Sequence, residues 1–250
     1  MIKNTGLYGD GILNHRNALN GDAVILNGIN QHFKNETFAT NLLDYNKQFT
    51  IFCVCKPNNT GNNPLLCSEP AINFRRIVFY YFSKTRGCYF LMRNGIRPLQ
   101  NLYQILSNIE STINTPQTLI GQNRGLNNLR VSINGISTEI NGDRNSGTVT
   151  TATAGTVIQG TTLVIGRDEA QPNYFGGKIK RLEILKKNIS PKNERRAYNE
   201  GTLTNIFPTS DFELILDGDN YNTGTGEWLD FSTNNYVFNA VNAPTKGIFL

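Results

Sequence analysis

Short runs of continuous or alternating apolar residues recur along the chain, separated by Asn, Gly, Thr and Pro. This pattern predicts strands joined by turns, as in an all-β domain. AVILNG from Ala23, FTIFCVC from Phe49, RRIVFYYFS from Arg75 and CYFLM from Cys88 are such runs, and TTLVIG and FELIL follow later. The segment NNLRVSINGISTEING is the clearest of all. Leu129, Val131 and Ile133 alternate, Asn134-Gly135 supplies a two-residue turn, and Ile136, Thr138 and Ile140 alternate again. That is a β-hairpin with a type I′ turn.

Two segments depart from the strand period. In RPLQNLYQILSNIE, apolar residues at Leu99, Leu102, Ile105, Leu106 and Ile109 suit a short helix. In YFGGKIKRLEILKKNISPKNERRAYNEG, Ser190 can serve as N-cap, Pro191 as the first helical residue and Gly201 as the stop. The strand before that helix carries Ile179, Leu182 and Ile184, so strict alternation fails between the first two. A β-bulge, or a late strand start beside Gly176-Gly177, accounts for the slip.

The chain has no internal repeat and no long linker. GDRNSGTVTTATAGTVIQGTT reads as a loop with a weak Thr-rich edge strand. The economical architecture is one two-sheet antiparallel β-sandwich with short helices and extended terminal arms. It divides into an N-terminal arm at 1–22, a sandwich domain at 23–232 and a C-terminal tail at 233–250.

In this order, four segments resemble the laminin-G-like, concanavalin A-like jelly-roll family, from about Val24 to Gly201. VILNGINQHF is similar to an early strand that ends at a glycine before an aromatic, and FTIFCVCKP to a strand closing on a basic residue and proline. NLRVSINGIST resembles the family's hairpin, and LVIGRDEAQPNYFGGKIKRLEILKKNISPKNERRAYNEG its closing strands and terminal short helix. The resemblance implies a concanavalin A-like jelly roll in which the last strand completes the sandwich and the helix packs at its edge. There are departures. Lys180 and Arg181 stand where the family often has an acidic residue, and IGQNRGLNNL lacks the tryptophan common before the hairpin. The tail EWLDFSTNNYVFNA resembles a segment seen around such domains in bacteriophage and gut-bacterial proteins.

Composition narrows the function classes. About one residue in seven is asparagine, well above ordinary usage, which makes the sequons at Asn35, Asn58 and Asn188 chance matches. The N-terminus has no apolar core of a signal peptide, and no apolar run is long enough for a membrane span. Cys53, Cys55, Cys67 and Cys88 have poor zinc spacing and read as buried, reduced thiols, with a Cys67–Cys88 disulfide as the alternative. Net charge is +5, and a basic run from Lys178 to Arg196 carries no interleaved aromatics, which argues against a specific nucleic-acid partner.

Catalytic chemistry finds little footing. Retaining glycoside hydrolysis needs a carboxylate pair, yet E-x-D does not occur, and D-x-E occurs once, at Asp211 and Glu213. His15 and His32 have no local nucleophile motif, and no phosphate-binding loop or dinucleotide fingerprint is present. The expectation is a non-enzyme. Asp217, Asp219 and Asn220 in DGDNYN offer oxygen ligands for calcium, the one cofactor in view, though a turn explains them equally. For glycan binding, where a ring covers the sugar face and polar groups take the hydroxyls, the candidates are Trp228 with Asp230, and Tyr174 with Asp168 and Asn173.

Two functions follow. The first is a non-enzymatic bacteriophage virion protein, as head decoration, head fibre or tail-associated adhesin, assembled in the host cytoplasm. Its partners would be its own copies, other virion proteins and a cell-surface glycan, and its Asn/Gly-rich arms and apolar KGIFL end suit such docking. The second is a carbohydrate-binding, lectin-like module of a bacterial surface system.

Overall fold

The computed structural model describes residues 19–38, 47–59, 61–69, 76–83, 87–94, 101–107, 112–125, 128–138, 162–168 and 171–250. Strands dominate it. In chain order they are β1 (Asp22–Asn27), β2 (His32–Asn35), β3 (Phe49–Pro57), β4 (Asn63–Glu69), β5 (Arg76–Ser83), β6 (Gly87–Asn94) and β7 (Asn101–Leu106). Next come β8 (Gln117–Asn123), β9 (Leu129–Ile133), β10 (Ile136–Thr138), β11 (Thr162–Ile165), β12 (Arg167–Asp168), β13 (Asn173–Tyr174) and β14 (Gly176–Leu185). After helix α1 (Pro191–Glu200) follow β15 (Phe212–Asp217), β16 (Tyr221–Asn222), β17 (Glu227–Leu229), β18 (Val237–Val241) and β19 (Thr245–Ile248).

Two antiparallel sheets form the sandwich. Sheet A runs β10-β9-β8-β3-β14-β1-β19, with β15 paired to the second half of β14. Sheet B runs β16-β17-β18-β2-β11-β4-β5-β6-β7. Alternation decides what each sheet buries. Ile51, Cys53 and Cys55 of β3 face Phe79 and Tyr81 of β5, Cys88 and Phe90 of β6, and Trp228 in the central core. The opposite side chains of sheet A, among them Phe52, Val54, Ile120 and Phe212, form a second apolar layer under Ala197 of α1, Leu203, Leu19 and Phe249. The long strand β14 therefore lies between two cores, as its nearly continuous burial shows.

The slip in β14 is a bulge. Ile179 pairs with Cys55 and Arg181 with Val54, leaving Lys180 as the extra residue. Gly177, the second residue of the strand, has φ +136, and a Cβ there would lie 2.3 Å from the Lys56 carbonyl oxygen. Only glycine allows β3 this close. Helix α1 starts where Ser190 accepts a bond from the Asn193 N–H, carries Pro191 at its first position and stops at left-handed Gly201. The hairpin turn has Asn134 at φ 51 and Gly135 at φ 74, the type I′ signs.

Two expectations need revision. Residues 101–106 are strand β7 and not a helix: β6 offers a free ladder, and Tyr89 to Asn94 pair with Leu106 to Asn101. A short apolar run leaves helix and strand undecided, and the neighbouring strand decides. The C-terminal tail is also no appendage, since β18 pairs with β2 and β17 while β19 pairs with β1. The cysteines are the expected buried, reduced thiols and not the alternative disulfide: all four are free, with Cys67 on the outer side of sheet B and Cys88 in the central core. The first 18 residues of the N-terminal arm, and residues 142–161 of the loop expected at 142–162, lie outside the described residues.

Candidate functional site

Of the residues the sequence nominated, the structure brings Asp168, Asn173 and Tyr174 together. They form the small β12–β13 hairpin, where Arg167 is opposite Tyr174 and Asp168 opposite Asn173. The hairpin is tied at its base by the Phe175 N–H to the Gly166 carbonyl at 2.9 Å. Asp168 is fully buried and accepts a hydrogen bond from the Tyr80 hydroxyl of β5. Tyr80 packs beside Tyr89 with ring centroids 5.9 Å apart. Asp168 is thus a brace fixing the hairpin to the outer face of sheet B, and not an acceptor for sugar hydroxyls.

Tyr174 differs. It is half-buried, with the Arg167 guanidinium 5.7 Å from its ring centroid and the His32 ring at 6.0 Å. A cation over a tyrosine ring holds it in place. Beside it the Asn173 amide donates to Gln171 Oε1 at 3.1 Å, and Gln171 is exposed. An ordered ring flanked by amides has the composition of a polyol-binding surface. Sequence reasoning missed Tyr80 and Arg167; the alternation of RIVFYYFS, which sends Tyr80 outward while Phe79 and Tyr81 point to the core, was the available signal.

Trp228 and Asp230 are corrected. Trp228 is fully buried, lies against Phe33 at 5.1 Å and donates its indole N–H to the Asp217 carbonyl at 2.7 Å. Asp230 is buried and accepts from the backbone N–H of Ile215 and of Ser232, each at 2.8 Å, and from the Ser232 hydroxyl at 2.6 Å. One is core and the other closes a turn. Neither faces a ligand.

The proposed calcium ligands do not fit a cation either. Asp217 binds Lys180 Nζ at 2.8 Å through one oxygen and Arg181 Nη2 at 2.7 Å through the other. Asp219 binds Lys180 at 2.7 Å and accepts from the Asp22 N–H at 2.6 Å. Although burial alone raises the Asp219 carboxyl, the Lys180 and Asp22 bonds hold it below its ordinary value. Asn220 belongs to the short 3-10 turn at Gly218–Asn220. With every carboxylate oxygen engaged by a cation or N–H, the metal would have to displace a partly buried ion network.

That network borders a cleft. It measures ≈ 670 Å³ and lies between Lys180 and Arg181 of β14, Arg196 and Glu200 at the end of α1, and the Gly201 to Asn205 loop. The remaining basic run is dispersed: Lys178 donates to the Ile248 carbonyl, Lys187 pairs with Asp211, and Lys186, Lys192 and Arg195 are exposed. The Asp211 and Glu213 pair is also engaged, Glu213 accepting from the Tyr236 hydroxyl at 3.1 Å.

Comparison with known proteins places this architecture. No family model matches the chain, and no curated protein matches its sequence. Solved structures do match. A Bacteroides ovatus protein proposed to bind carbohydrate superposes over 91% of this chain at TM-score 0.55 and 13% identity. The fold is a concanavalin A-like jelly roll. The CBM40 of the Ruminococcus gnavus IT-sialidase, bound to α2,3-sialyllactose, aligns over 72% of this chain and 98% of its own at TM-score 0.52 and 14% identity. A leech intramolecular trans-sialidase aligns over 73% of this chain and 28% of its own at TM-score 0.53 and 14% identity. This chain spans 59% of the length of the Bacteroides ovatus protein. At such identities the jelly roll is what the likeness carries.

Proposed function

We propose that the chain is a non-enzymatic carbohydrate-binding module that reads its ligand at the β12–β13 hairpin. The observation that carries this reading is the half-buried Tyr174 ring, ordered by Arg167 and His32 and flanked by Asn173 and Gln171. Such a ring covers an apolar sugar face, and the amides exchange hydrogen bonds with hydroxyls. Two of the superposed structures support it: one protein is proposed to bind carbohydrate, and another holds sialyllactose. A non-catalytic role is in keeping with the superposed structures, one proposed to bind carbohydrate and one a CBM40 domain. These relatives come from two bacteria and a leech and do not bear on the virion setting expected from the sequence.

The test is a glycan array on the full chain, followed by titration calorimetry with the best binder and with sialyllactose. Tyr174→Ala should weaken binding about tenfold, equivalent to about 1.4 kcal/mol. Trp228→Phe should lower the melting temperature and keep the affinity, since Trp228 is core. A Tyr174→Ala variant that binds like the natural protein removes the hairpin from consideration. A wild-type protein that binds nothing on the array defeats the reading itself.

A further inference from the structure

Sheet A ends in cations. Strand β14 begins at Gly176, directly after the Tyr174 hairpin, and closes at Leu185, about 30 Å away at the rise of an extended strand. Three separate stretches of chain meet at that far end. Lys47 precedes β3, Arg124 follows β8, Lys186 and Lys187 follow β14, and Lys192 and Arg195 stand one turn apart on α1. Side chains tie the stretches together. The Asn123 amide donates to the Lys47 carbonyl at 2.8 Å, the Thr50 hydroxyl to the Lys187 carbonyl at 2.8 Å, and the Ile189 N–H to the Gln122 amide oxygen at 3.0 Å. We propose that this basic strip is a docking surface for a linear acidic polysaccharide, separate from the hairpin.

Its side chains are accessible. Lys47, Arg124, Lys186, Lys192 and Arg195 are exposed, and none of them pairs with a carboxylate among the described residues. The nearby acids do not offset them. Glu194 is fully buried, held by Arg130 at 2.8 Å and by the Gln122 amide at 2.5 Å. Asp211, whose carbonyl accepts from the Lys186 N–H, is bonded through its carboxylate to Lys187. Positive charge is left in excess at one end of the molecule, and such a field gathers a polyanion.

The chemistry of the strip selects among polyanions. Four of the six cations are lysines, point charges on flexible stems that impose no bidentate geometry. They suit charges repeated along a polymer more than one phosphate held in a fork. Unstacked bases find no platform, because Phe207, the ring at hand, lies partly buried with the Lys187 ammonium 5.1 Å from its centroid. Helix α1 lies along sheet A with Glu194 and Ala197 buried beneath it, so it does not project into a duplex groove.

Shape removes a lipid surface. The strip starts at the end of the sandwich and turns onto its flank, where the Arg195 Cα lies 3.4 Å from the place a Gly135 Cβ would take. A flat bilayer touches one side of that corner. A flexible polymer chain follows both.

The experiment titrates the full chain with fluorescently labelled polygalacturonate and dextran sulfate, the carboxylate and sulfate forms of such a polymer. Neutral dextran, a DNA duplex of mixed sequence and phosphatidylglycerol vesicles are run alongside. At least one acidic polysaccharide should bind, more weakly as salt rises, and neutral dextran should not. Lys186→Glu combined with Lys192→Glu should weaken that binding about tenfold or more. Lys34→Glu combined with Lys56→Glu makes the same change in net charge outside the strip and should weaken it about twofold at most. Both pairs lie at the surface, so melting temperatures should stay near that of the natural protein. Tyr174→Ala should leave the polymer bound, which separates the strip from the hairpin. Equal losses in the two charge-reversed pairs reduce the attraction to net charge and overturn the strip, as does failure of both acidic polymers to bind at low salt. Tighter binding of the duplex or the vesicles overturns the ligand class. Loss of binding in Tyr174→Ala but not in the Lys186 and Lys192 pair places the polymer at the hairpin and overturns the strip as well.

Discussion

Lys180 Nζ lies 2.8 Å from Asp217 Oδ1, joining the bulged residue of β14 to the last residue of β15 on the outer face of sheet A. The bulge makes this contact. It brings two successive basic residues, Lys180 and Arg181, onto the same carboxylate, where regular pleating would send one of them into the apolar core. Lys180 is buried, so its charge is sustained only by Asp217 and Asp219.

Replacing Lys180 by Met should therefore be destabilising by about 1–2 kcal/mol, because Asp217 Oδ1 loses its cation while Arg181 keeps hold of the other oxygen. Urea denaturation measures the loss. A Lys180→Met protein as stable as the natural one would mean that the network contributes nothing. The same engagement predicts a wild-type melting temperature indifferent to millimolar calcium.

A second prediction concerns the β9–β10 turn. Asn134 accepts from the Thr118 N–H at 2.9 Å and donates to Gln117 at 2.9 Å, pinning the turn to β8. A Cβ on Gly135 would approach Tyr198 Cβ to 3.2 Å and Arg195 Cα to 3.4 Å. Gly135→Val then suffers positive-φ strain of about 1–3 kcal/mol and pushes on α1 as well. Reduced stability in urea is the expected result; an unchanged midpoint would count against the turn assignment.

These two sites also show what the sequence reveals. The Asn134-Gly135 turn and the Ser190, Pro191 and Gly201 helix signals are local chemistry, readable because each depends on a few neighbouring residues. The bulge was visible as a break in period between Ile179 and Leu182. Its purpose was not, because Asp217 is distant in sequence. The same distance hid the burial of Trp228, which rests on Phe33, and the role of Asp168, which rests on Tyr80. Residues 101–106 misled for a related reason: their period fits a helix, and only the ladder with β6 makes them a strand. At the candidate sites, single residues were legible, but the companions of Tyr174 and the lining of the cleft are assembled by topology.

The last prediction turns on Glu183, which is fully buried beneath the loop after α1. Its carboxylate accepts from the Thr202 hydroxyl at 2.6 Å and the Leu203 N–H at 2.7 Å, with Arg181 Nη1 at 3.4 Å. Burial raises its carboxyl above the ordinary value, and Asp217 adds to this; Arg181 and the two hydrogen bonds oppose it without cancelling it. The folded protein then holds the Glu183 proton to higher pH than the unfolded chain does. Its contribution to stability is complete below the unfolded value of about 4.3 and is lost as pH rises through the higher native value. Asp219, held low, acts oppositely, losing its contribution as pH falls through its native value. Glu183→Gln keeps an acceptor and removes the titration. Its stability relative to wild type should be flat below about pH 4.3, grow through the mildly acidic range and level off above the native value. Urea midpoints of both proteins across that range give the difference directly. A difference that shrinks with rising pH would show that Arg181 stabilises the carboxylate as an anion more than burial opposes it.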